Sequence, residues 1–461
     1  MTRIIKNGTV VTPTDTFSVD IRIENGKIAE MGAGLAENGA EVFDASGCLV
    51  FAGFIDAHTH FDMSTATATT ADNFASGTRA ALVGGTTTVV DFATQEKGET
   101  LAQALQSWHK KADGNSSCNY AFHMAISDWN EHTSKEIDDM VKAGISSFKL
   151  YLAYDNLRVT DGELYEILKR VGAVHGIIGV HCENGDLVKE LTAEMLAAGE
   201  TTPAAHPKSR PDYVEAEAVS RYLYIAKAAG VPTHIVHLST ALGLSEVRKA
   251  RAAGQSVYVE TCPQYLTMDE SCYNLDGFES AKYVCSPPIR KKTDEEALWG
   301  AIKNGEIQSI STDHCSFNFK GQKQQGKDDF SKIPNGMPGT EHRPAVMYTA
   351  GVAAGRISPQ QMASLLSENA ARLFGMYPQK GTIAVGSDAD IVVWDTSYRG
   401  KITAADMQQN VDYTPYEGMD IQGRAKLVFL NGEPVVQDGK ITKELCGKYV
   451  SRHQADYFNI K

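Results

Sequence analysis

Several features that assign a chain to other protein classes are missing from this sequence. It has eight cysteines in 461 residues, and no two of them show the Cys-x-x-Cys spacing of a thiolate zinc site. No apolar run is long enough to span a bilayer, and the N-terminus lacks the apolar segment of a signal peptide. Scattered cysteines together with the missing signal predict a cytoplasmic protein.

Positive charge is also scarce. The formal net charge is -13 at pH 7, whereas nucleic acids and anionic membranes attract basic surfaces, so we expect neither as a partner. The sequence has no Gly-x-Gly-x-x-Gly after its first predicted strand, which weakens a nucleotide-binding sheet. It also has no Gly-x-Ser-x-Gly elbow, so a serine nucleophile has no support.

Predicted strands alternate with predicted helices through the middle of the chain. The strand predictions are Val50–Ala57, Thr86–Phe92, Tyr120–Ile126, Ser147–Tyr151, Ile177–His181, His234–His237, Val257–Glu260 and Gln308–Thr312. Helical patterns between them include Leu101–Lys111, Glu163–Val171, Tyr213–Ala229 and Asp294–Lys303. Eight such strands predict an α/β fold, a (β/α)8 TIM-like barrel with insertions, and an open doubly wound sheet is the alternative.

Both ends of the chain have the pattern of short strands and tight turns. Hairpin-turn dipeptides stand at Asn7-Gly8, Asn25-Gly26 and Asn431-Gly432. Chain termini usually lie close together. We therefore expect residues 1–50 and 378–461 to form one discontinuous β-rich domain and residues 51–377 to form the barrel.

His58 and His60 are the most informative residues, because they follow an apolar run that predicts a buried strand. Alternate strand residues point to the same side, which places their Cα atoms roughly 6.6 Å apart with both rings on one side. Later predicted strands contribute four more candidate ligands at or near their ends: Lys149, His181, His237 and Asp313. Barrel enzymes place their active sites there, and histidine with aspartate suits a divalent ion such as zinc.

Lys149 is the unusual member of this set. Burial and nearby cations lower the pKa of an ammonium group. The neutral amine can add carbon dioxide and become a carbamate, an anion able to bridge two metal ions. Pairing of the lysine with an aspartate is the alternative that the residues leave open. His123 and His234 are set aside, because the first lies inside a predicted strand and the second opens one.

At these residues the chain resembles the cyclic amidohydrolases of the dihydropyrimidinase and hydantoinase family, including the bacterial phenylhydantoinases. The segments that carry the resemblance are Gly53–His60, Ser147–Tyr154, Ile235–Ser239, Glu260–Leu266, Ser286–Arg290, Thr312–Cys315 and Pro334–Gly339. The resemblance spans nearly the whole chain and implies a barrel with a small β-sandwich domain, to which Gly381–Asp395 returns. It also implies a homotetramer.

The implied activity is a metal-dependent hydrolysis that opens cyclic amides and imides, such as 5,6-dihydropyrimidines and hydantoins. The product is an N-carbamoyl amino acid, and the nucleophile is a hydroxide that bridges two divalent ions, with Zn2+ as the expected metal. Lys149 would bridge the ions as N6-carboxylysine, formed with CO2. The remaining ligands would be His58, His60 and Asp313 for one ion, and His181 and His237 for the other.

The resemblance further implies roles for residues that contact the substrate. Asp313 would move the proton, and Tyr154 would contact the developing oxyanion. Ser286 and Asn335 would hold the ring amide through main-chain groups. Arg158 stands where several hydantoinases have an aromatic residue, which predicts a small or polar ring substituent.

Other members of the superfamily and a non-catalytic homologue are the alternatives. Dihydroorotase-like sequences usually carry an arginine shortly after the His-x-His, where this chain has Phe61 and Asp62. Allantoinase-like sequences generally lack a counterpart of Tyr154. A metal-free scaffold homologue has lost ligands, whereas this chain keeps all six.

Overall fold

The computed structural model describes residues 1–65, 67–456 and 460. Its strands are β1 (Arg3–Lys6), β2 (Thr9–Val11), β3 (Thr16–Ser18), β4 (Asp20–Glu24), β5 (Lys27–Gly32), β6 (Glu41–Asp44), β7 (Leu49–Ala52), β8 (Phe54–Thr59), β9 (Thr86–Thr94), β10 (Asn119–Ala125), β11 (Ser147–Tyr151), β12 (Ile177–His181), β13 (Thr233–Ile235), β14 (Val257–Thr261), β15 (Ser309–Ile310), β16 (Ile391–Lys401), β17 (Asp420–Leu430), β18 (Glu433–Gln437) and β19 (Lys440–Ile441).

Helices connect most of the barrel strands. They are α1 (Phe74–Gly84), α2 (Leu101–Ala112), α3 (Glu131–Lys142), α4 (Asp161–Ala173), α5 (Gly185–Ala197), α6 (His206–Ser209), α7 (Asp212–Ala229), α8 (Ala241–Ala252), α9 (Gln264–Thr267), α10 (Lys292–Lys303), α11 (Arg343–Met347), α12 (Pro359–Ala363) and α13 (Asn369–Leu373). The four helices predicted above correspond to α2, α4, α7 and α10. None of the described helices is both long and apolar enough to cross a membrane.

Strands β8 to β15 form one parallel sheet in chain order, and a backbone bridge and a buried arginine close this sheet into a barrel. A parallel bridge joins Thr59, in the first strand, to His314, just after the last. The buried Arg343 guanidinium donates to the carbonyls of Ile55 and Ile310, at 2.7 and 2.8 Å, and so holds the same two strands. The predicted (β/α)8 barrel is therefore confirmed.

The ends of the chain build two smaller sheets, in the strand orders β5-β4-β1-β6 and β19-β18-β17-β16-β7-β2-β3. Isoleucine, valine and phenylalanine side chains from both sheets form one apolar core. This arrangement confirms the small β-sandwich.

The division at residues 50/51 and 377/378 stays a prediction, because β7 crosses the first boundary and the end of the chain returns to the barrel. There Tyr449 pairs with Tyr120, and Arg452 donates to Ser147 Oγ at 2.6 Å.

Two local predictions are wrong. Val50–Ala57 is not one strand, because β7 pairs with β2 and β16 in the sandwich, whereas β8 pairs with β9 in the barrel. The chain passes between the sheets at Gly53, where a Cβ atom would lie 2.0 Å from Thr87 Oγ1. Asn7-Gly8 does not form a hairpin either, since β1 and β2 belong to different sheets.

The other two dipeptides do form the predicted hairpins. Asn25-Gly26 connects β4 to β5, and Asn431-Gly432 connects β17 to β18. Both residues of each pair have positive φ, between 50° and 79°. A type I′ turn requires this conformation, and asparagine and glycine reach it at low cost.

Candidate metal centre and active site

The predicted ligands come together at the carboxyl ends of five barrel strands. They lie in or shortly after β8, β11, β12, β13 and β15: His58, His60, Lys149, His181, His237 and Asp313. Strands β13 and β15 are shorter than predicted, so His237 and Asp313 lie in the loops that follow them. Both residues have positive φ, 38° and 53°. Such backbone strain costs about 1–3 kcal/mol per residue and is typical of functional sites.

One carboxylate oxygen contacts the first two histidines. The distance from Asp313 Oδ1 is 3.2 Å to Nε2 of His58 and 3.2 Å to Nε2 of His60. A tetrahedral zinc ion with bonds of about 2.0–2.1 Å separates its ligand atoms by about 3.3–3.4 Å. The spacing of these three side chains therefore suits a metal ion, and all three ligand atoms lie within 4.8 Å of one another.

A second pair of imidazoles faces the same cavity. His181 Nδ1 lies 3.0 Å from His237 Nε2, and the ring centroids of His237 and His58 are 5.4 Å apart. Burial, and to a smaller extent Lys149, lowers the pKa of His58, His181 and His237. The rings are therefore neutral at neutral pH, which is the state in which imidazole binds metals.

Lys149 is buried beside these histidines with its amine unpaired. Its side chain is 1% exposed, and Nζ has no hydrogen-bond partner among the residues that the structure describes. Nζ lies 5.1 Å from the ring centroid of Phe92 and 5.3 Å from that of Tyr151. Burial lowers the lysine pKa from 10.5 to about 8. The alternative of a lysine–aspartate ion pair is not observed in this part of the chain.

Two buried glutamates orient the histidines, and the sequence analysis missed both. Glu260 Oε1 lies 2.7 Å from His58 Nδ1, and Glu183 Oε2 lies 2.9 Å from His181 Nε2. Carboxylates in this position fix the tautomer and direction of metal-binding imidazoles. A signal was available, because Glu260 ends a predicted strand and Glu183 follows His181 by two residues, on the same side of the chain.

Tyr154 lies at the same mouth, on the loop after β11, with φ 70°. Its ring centroid is 5.3 Å from that of His181, and the Arg210 guanidinium lies 5.8 Å from its ring centroid. Desolvation raises the pKa of the Tyr154 phenol. The hydroxyl therefore keeps its proton at neutral pH and is able to donate a hydrogen bond.

Arg210 also forms a buried ion pair with Glu183, with 2.6 Å between Nη1 and Oε2. Burial alone would raise the pKa of Glu183, but Arg210 and His181 outweigh this effect and lower the pKa to about 2. Glu183 is thus a fixed carboxylate that connects His181 to the guanidinium next to Tyr154.

Ser286 and Asn335 lie on two irregular segments that a backbone hydrogen bond connects. The Gly336 N–H donates to the Val284 carbonyl at 3.0 Å. The Arg158 guanidinium forms ion pairs with the carboxylates of Asp155 and Asp186, at 3.0 and 2.7 Å.

The barrel and its converging ligands define a (β/α)8-barrel protein with a candidate metal centre at the strand ends. Residues 49–435 match the model of the Amidohydrolase family. A D-hydantoinase of Geobacillus stearothermophilus is 45% identical over 98% of this chain and 97% of that protein. A D-hydantoinase of Streptomyces coelicolor is 42% identical over 98% of each chain. The crystal structure of a dihydropyrimidinase from Brevibacillus agri NCHU1002 superposes with a TM-score of 0.97 at 43% identity, covering 99% of both chains.

The chain therefore belongs to the amidohydrolase family.

Proposed function

We propose that this protein is a cyclic amidohydrolase that hydrolyses cyclic amides and imides to N-carbamoyl amino acids. Its substrate class is the 5,6-dihydropyrimidines and hydantoins. The observation that carries the proposal is the convergence of Asp313 and two histidine pairs around the unpaired amine of Lys149. Similarity over nearly the whole chain to proteins named D-hydantoinase and dihydropyrimidinase supports the substrate class.

The donor set suits two divalent ions, for which we propose zinc. The proposed ligands are His58, His60 and Asp313 for one ion, His181 and His237 for the other, and Lys149 as a bridging N6-carboxylysine. Neutral imidazoles, ligand spacings of 3.0–3.2 Å and a buried amine without a partner all fit this assignment. Bound ions of this kind lower the pKa of water and polarise a carbonyl group.

The side chains of the protein supply proton transfer and orientation. The carboxylate of Asp313 accepts a proton from the attacking water and passes it to the ring nitrogen as the carbon–nitrogen bond breaks. General base and acid catalysis of this kind contributes about 10²–10⁴-fold. The hydroxyl of Tyr154 donates to the developing oxyanion, and loss of one such donor costs about 2.7–4 kcal/mol. Main-chain groups of Ser286 and Asn335 hold the ring amide.

We further propose a cytoplasmic homotetramer. Tyr213, Tyr224 and Leu242 lie on α7 and α8 with 50%, 72% and 42% of their surface exposed, and a neighbouring copy would cover them. The described cysteines are all free thiols, as in a reducing compartment. Light scattering after size-exclusion chromatography tests the assembly, and a monomer at micromolar concentration would contradict it.

The activity is tested with purified protein, metal analysis and four substrates: dihydrouracil, hydantoin, phenylhydantoin and allantoin. We expect two metal ions per chain, ring opening of dihydrouracil or hydantoin, and loss of turnover after chelation. Because Arg158 replaces an aromatic residue, we expect the unsubstituted rings to be preferred to phenylhydantoin. Exclusive turnover of allantoin would favour an allantoinase. Metal-free protein without turnover of any ring would favour a scaffold.

A further inference from the structure

Lys323 is a second buried lysine. It is not one of the six candidate metal ligands, which we call the ligand cluster: His58, His60, Lys149, His181, His237 and Asp313. The side chain of Lys323 is 0% exposed, and Nζ donates to the carbonyls of Val284 at 2.9 Å and Pro334 at 3.0 Å. No carboxylate of the described residues lies within 4.0 Å of this amine. Burial of an amine away from any carboxylate has a desolvation cost. The hydrogen bonds of Nζ to the two carbonyls offset part of this cost.

The first of these carbonyls belongs to residues 282–287, where the end of a short 3-10 helix (Glu279–Tyr283) leads into an irregular segment that carries Ser286. Because such a backbone lacks strand partners, its carbonyls need other donors. Side chains provide them, from Tyr413 to Lys282 O (3.0 Å), Tyr273 to Tyr283 O (3.1 Å), His206 Nε2 to Cys285 O (2.7 Å) and Tyr265 to Pro287 O (2.7 Å). The path of this segment is therefore determined by the side chains that reach its carbonyls.

The second carbonyl, of Pro334, directly precedes Asn335. The Lys323 amine thus contacts both of the segments that carry Ser286 and Asn335, which we call the substrate segments. The bond from Gly336 N–H to Val284 O connects the same two segments. The turn that carries Lys323 also packs closely on the second segment, since a Cβ at Gly326 would lie 2.6 Å from Ile333 N. The amine therefore has little freedom to move relative to either segment.

We propose that Lys323 is a positioning residue, whose amine sets the separation of Ser286 and Asn335 and so the fit of the ring amide. The inference deepens the proposed function and depends on it, because the amide-binding roles of these two residues belong to that proposal. Among the described residues, Lys323 forms no hydrogen bond or ion pair with the proposed metal ligands or with Tyr154. Its removal is expected to affect substrate binding more than metal binding or the chemical step.

The test compares Lys323→Met and Lys323→Gln with the wild-type holoenzyme. Methionine keeps an unbranched side chain without a donor, and glutamine restores one amide donor. We expect the KM for hydantoin to rise about tenfold in Lys323→Met, because small misplacements of binding groups are costly. Metal content and kcat at saturation should stay within about twofold, and Lys323→Gln should recover part of the loss. If the methionine variant does not fold, the glutamine variant carries the same KM test.

Lys380→Met is the matched control. Lys380 is also buried, at 4% exposure, but it pairs with Asp390 at 2.6 Å and Asp388 at 2.9 Å, beside the sandwich. We expect this variant to lower the melting temperature without raising KM. A rise of KM in both variants in proportion to their loss of stability would overturn the positioning role, as would an unchanged KM in Lys323→Met.

A second readout separates this inference from the proposed function. Hydrogen exchange of the backbone amides of residues 284–286 and 335–337 should be faster in Lys323→Met than in wild type or Lys380→Met. If wild-type protein opens no cyclic amide, the proposed function fails and the exchange rates alone decide whether Lys323 holds the segments. Equal exchange in all three proteins would overturn the inference.

Discussion

The ligand cluster and the substrate segments are each built around a fully buried lysine, but the two lysines have different surroundings. Lys149 has no hydrogen-bond partner in the described chain, whereas Lys323 donates to two carbonyls. Burial lowers the pKa of Lys149 to about 8 and that of Lys323 to about 7. Burial and acidity therefore do not distinguish them. The hydrogen bonds do, because an amine without partners is available for a ligand and a bonded amine organises the backbone.

Histidines inside the barrel show the same contrast. His123 uses both ring nitrogens, at 2.5 Å to Ser147 Oγ and 3.0 Å to Ala57 O, whereas Nε2 of His58 has no hydrogen-bond partner in the described residues. His234 also has an Nε2 without a hydrogen-bond partner there, yet it is not part of the His58, His60 and Asp313 group. An unpaired nitrogen therefore indicates a ligand only where several such atoms converge.

The largest effect is expected for Lys149→Ala. Without the proposed bridge the protein should lose bound metal and fall at least about 10³-fold in kcat/KM, since metal activation is worth several kcal/mol. Metal analysis and hydantoin turnover measure this, and short carboxylic acids should restore part of the activity. Lys323→Met is the contrast, because it should keep its metal. If Lys149→Ala still binds two metal ions per chain, Lys149 is not the bridging ligand and does not differ from Lys323 in this respect.

Asp313→Asn should have the next largest effect. The amide cannot accept the proton of the attacking water, so kcat should fall by about 10²–10⁴-fold with a much smaller change in KM. Steady-state kinetics of this variant beside Lys323→Met would separate chemistry from binding, because the second variant should show the opposite split. Unchanged kinetics in Asp313→Asn would exclude its role in proton transfer.

The last prediction concerns the pH dependence of folding stability. The pKa of Lys323 is about 7 in the folded protein, against 10.5 when exposed. Below pH 7 both states hold the proton, and the folded state carries the full cost of the buried charge. Above pH 7 the folded protein binds fewer protons than the unfolded chain, so its stability rises by up to ~1.4 kcal/mol per pH unit until about pH 10.5.

The measurement is the difference in melting temperature between wild type and Lys323→Met at about pH 6.5 and about pH 9. We expect the difference to move in favour of wild type at the higher pH. If the melting temperatures of the two proteins change equally with pH over this range, the pKa of Lys323 is not lowered and its amine is exposed to solvent.

The sequence predicted the barrel and the candidate ligands at its strand ends, because strand periodicity and His-x-His spacing are local properties. The family was predicted from the resemblance of longer motifs, such as Gly53–His60 and Ser147–Tyr154. The resemblance to cyclic amidohydrolases agrees with the family match over residues 49–435. The metal-binding roles remain proposals. Local patterns did not reveal that Gly53 separates two strands, because both sides of it are equally apolar.

The chain order of apolar and polar residues by itself determined the alternation of strands and helices in the barrel and which side chains lie at or just beyond the strand ends. Only the tertiary structure decided which buried polar groups have partners, as for Glu260 with His58 and Lys323 with Pro334. These pairs join residues 202 and 11 positions apart in the sequence. Hydrogen bonding depends on distances in space, and neither local propensity nor hydrophobic periodicity contains that information.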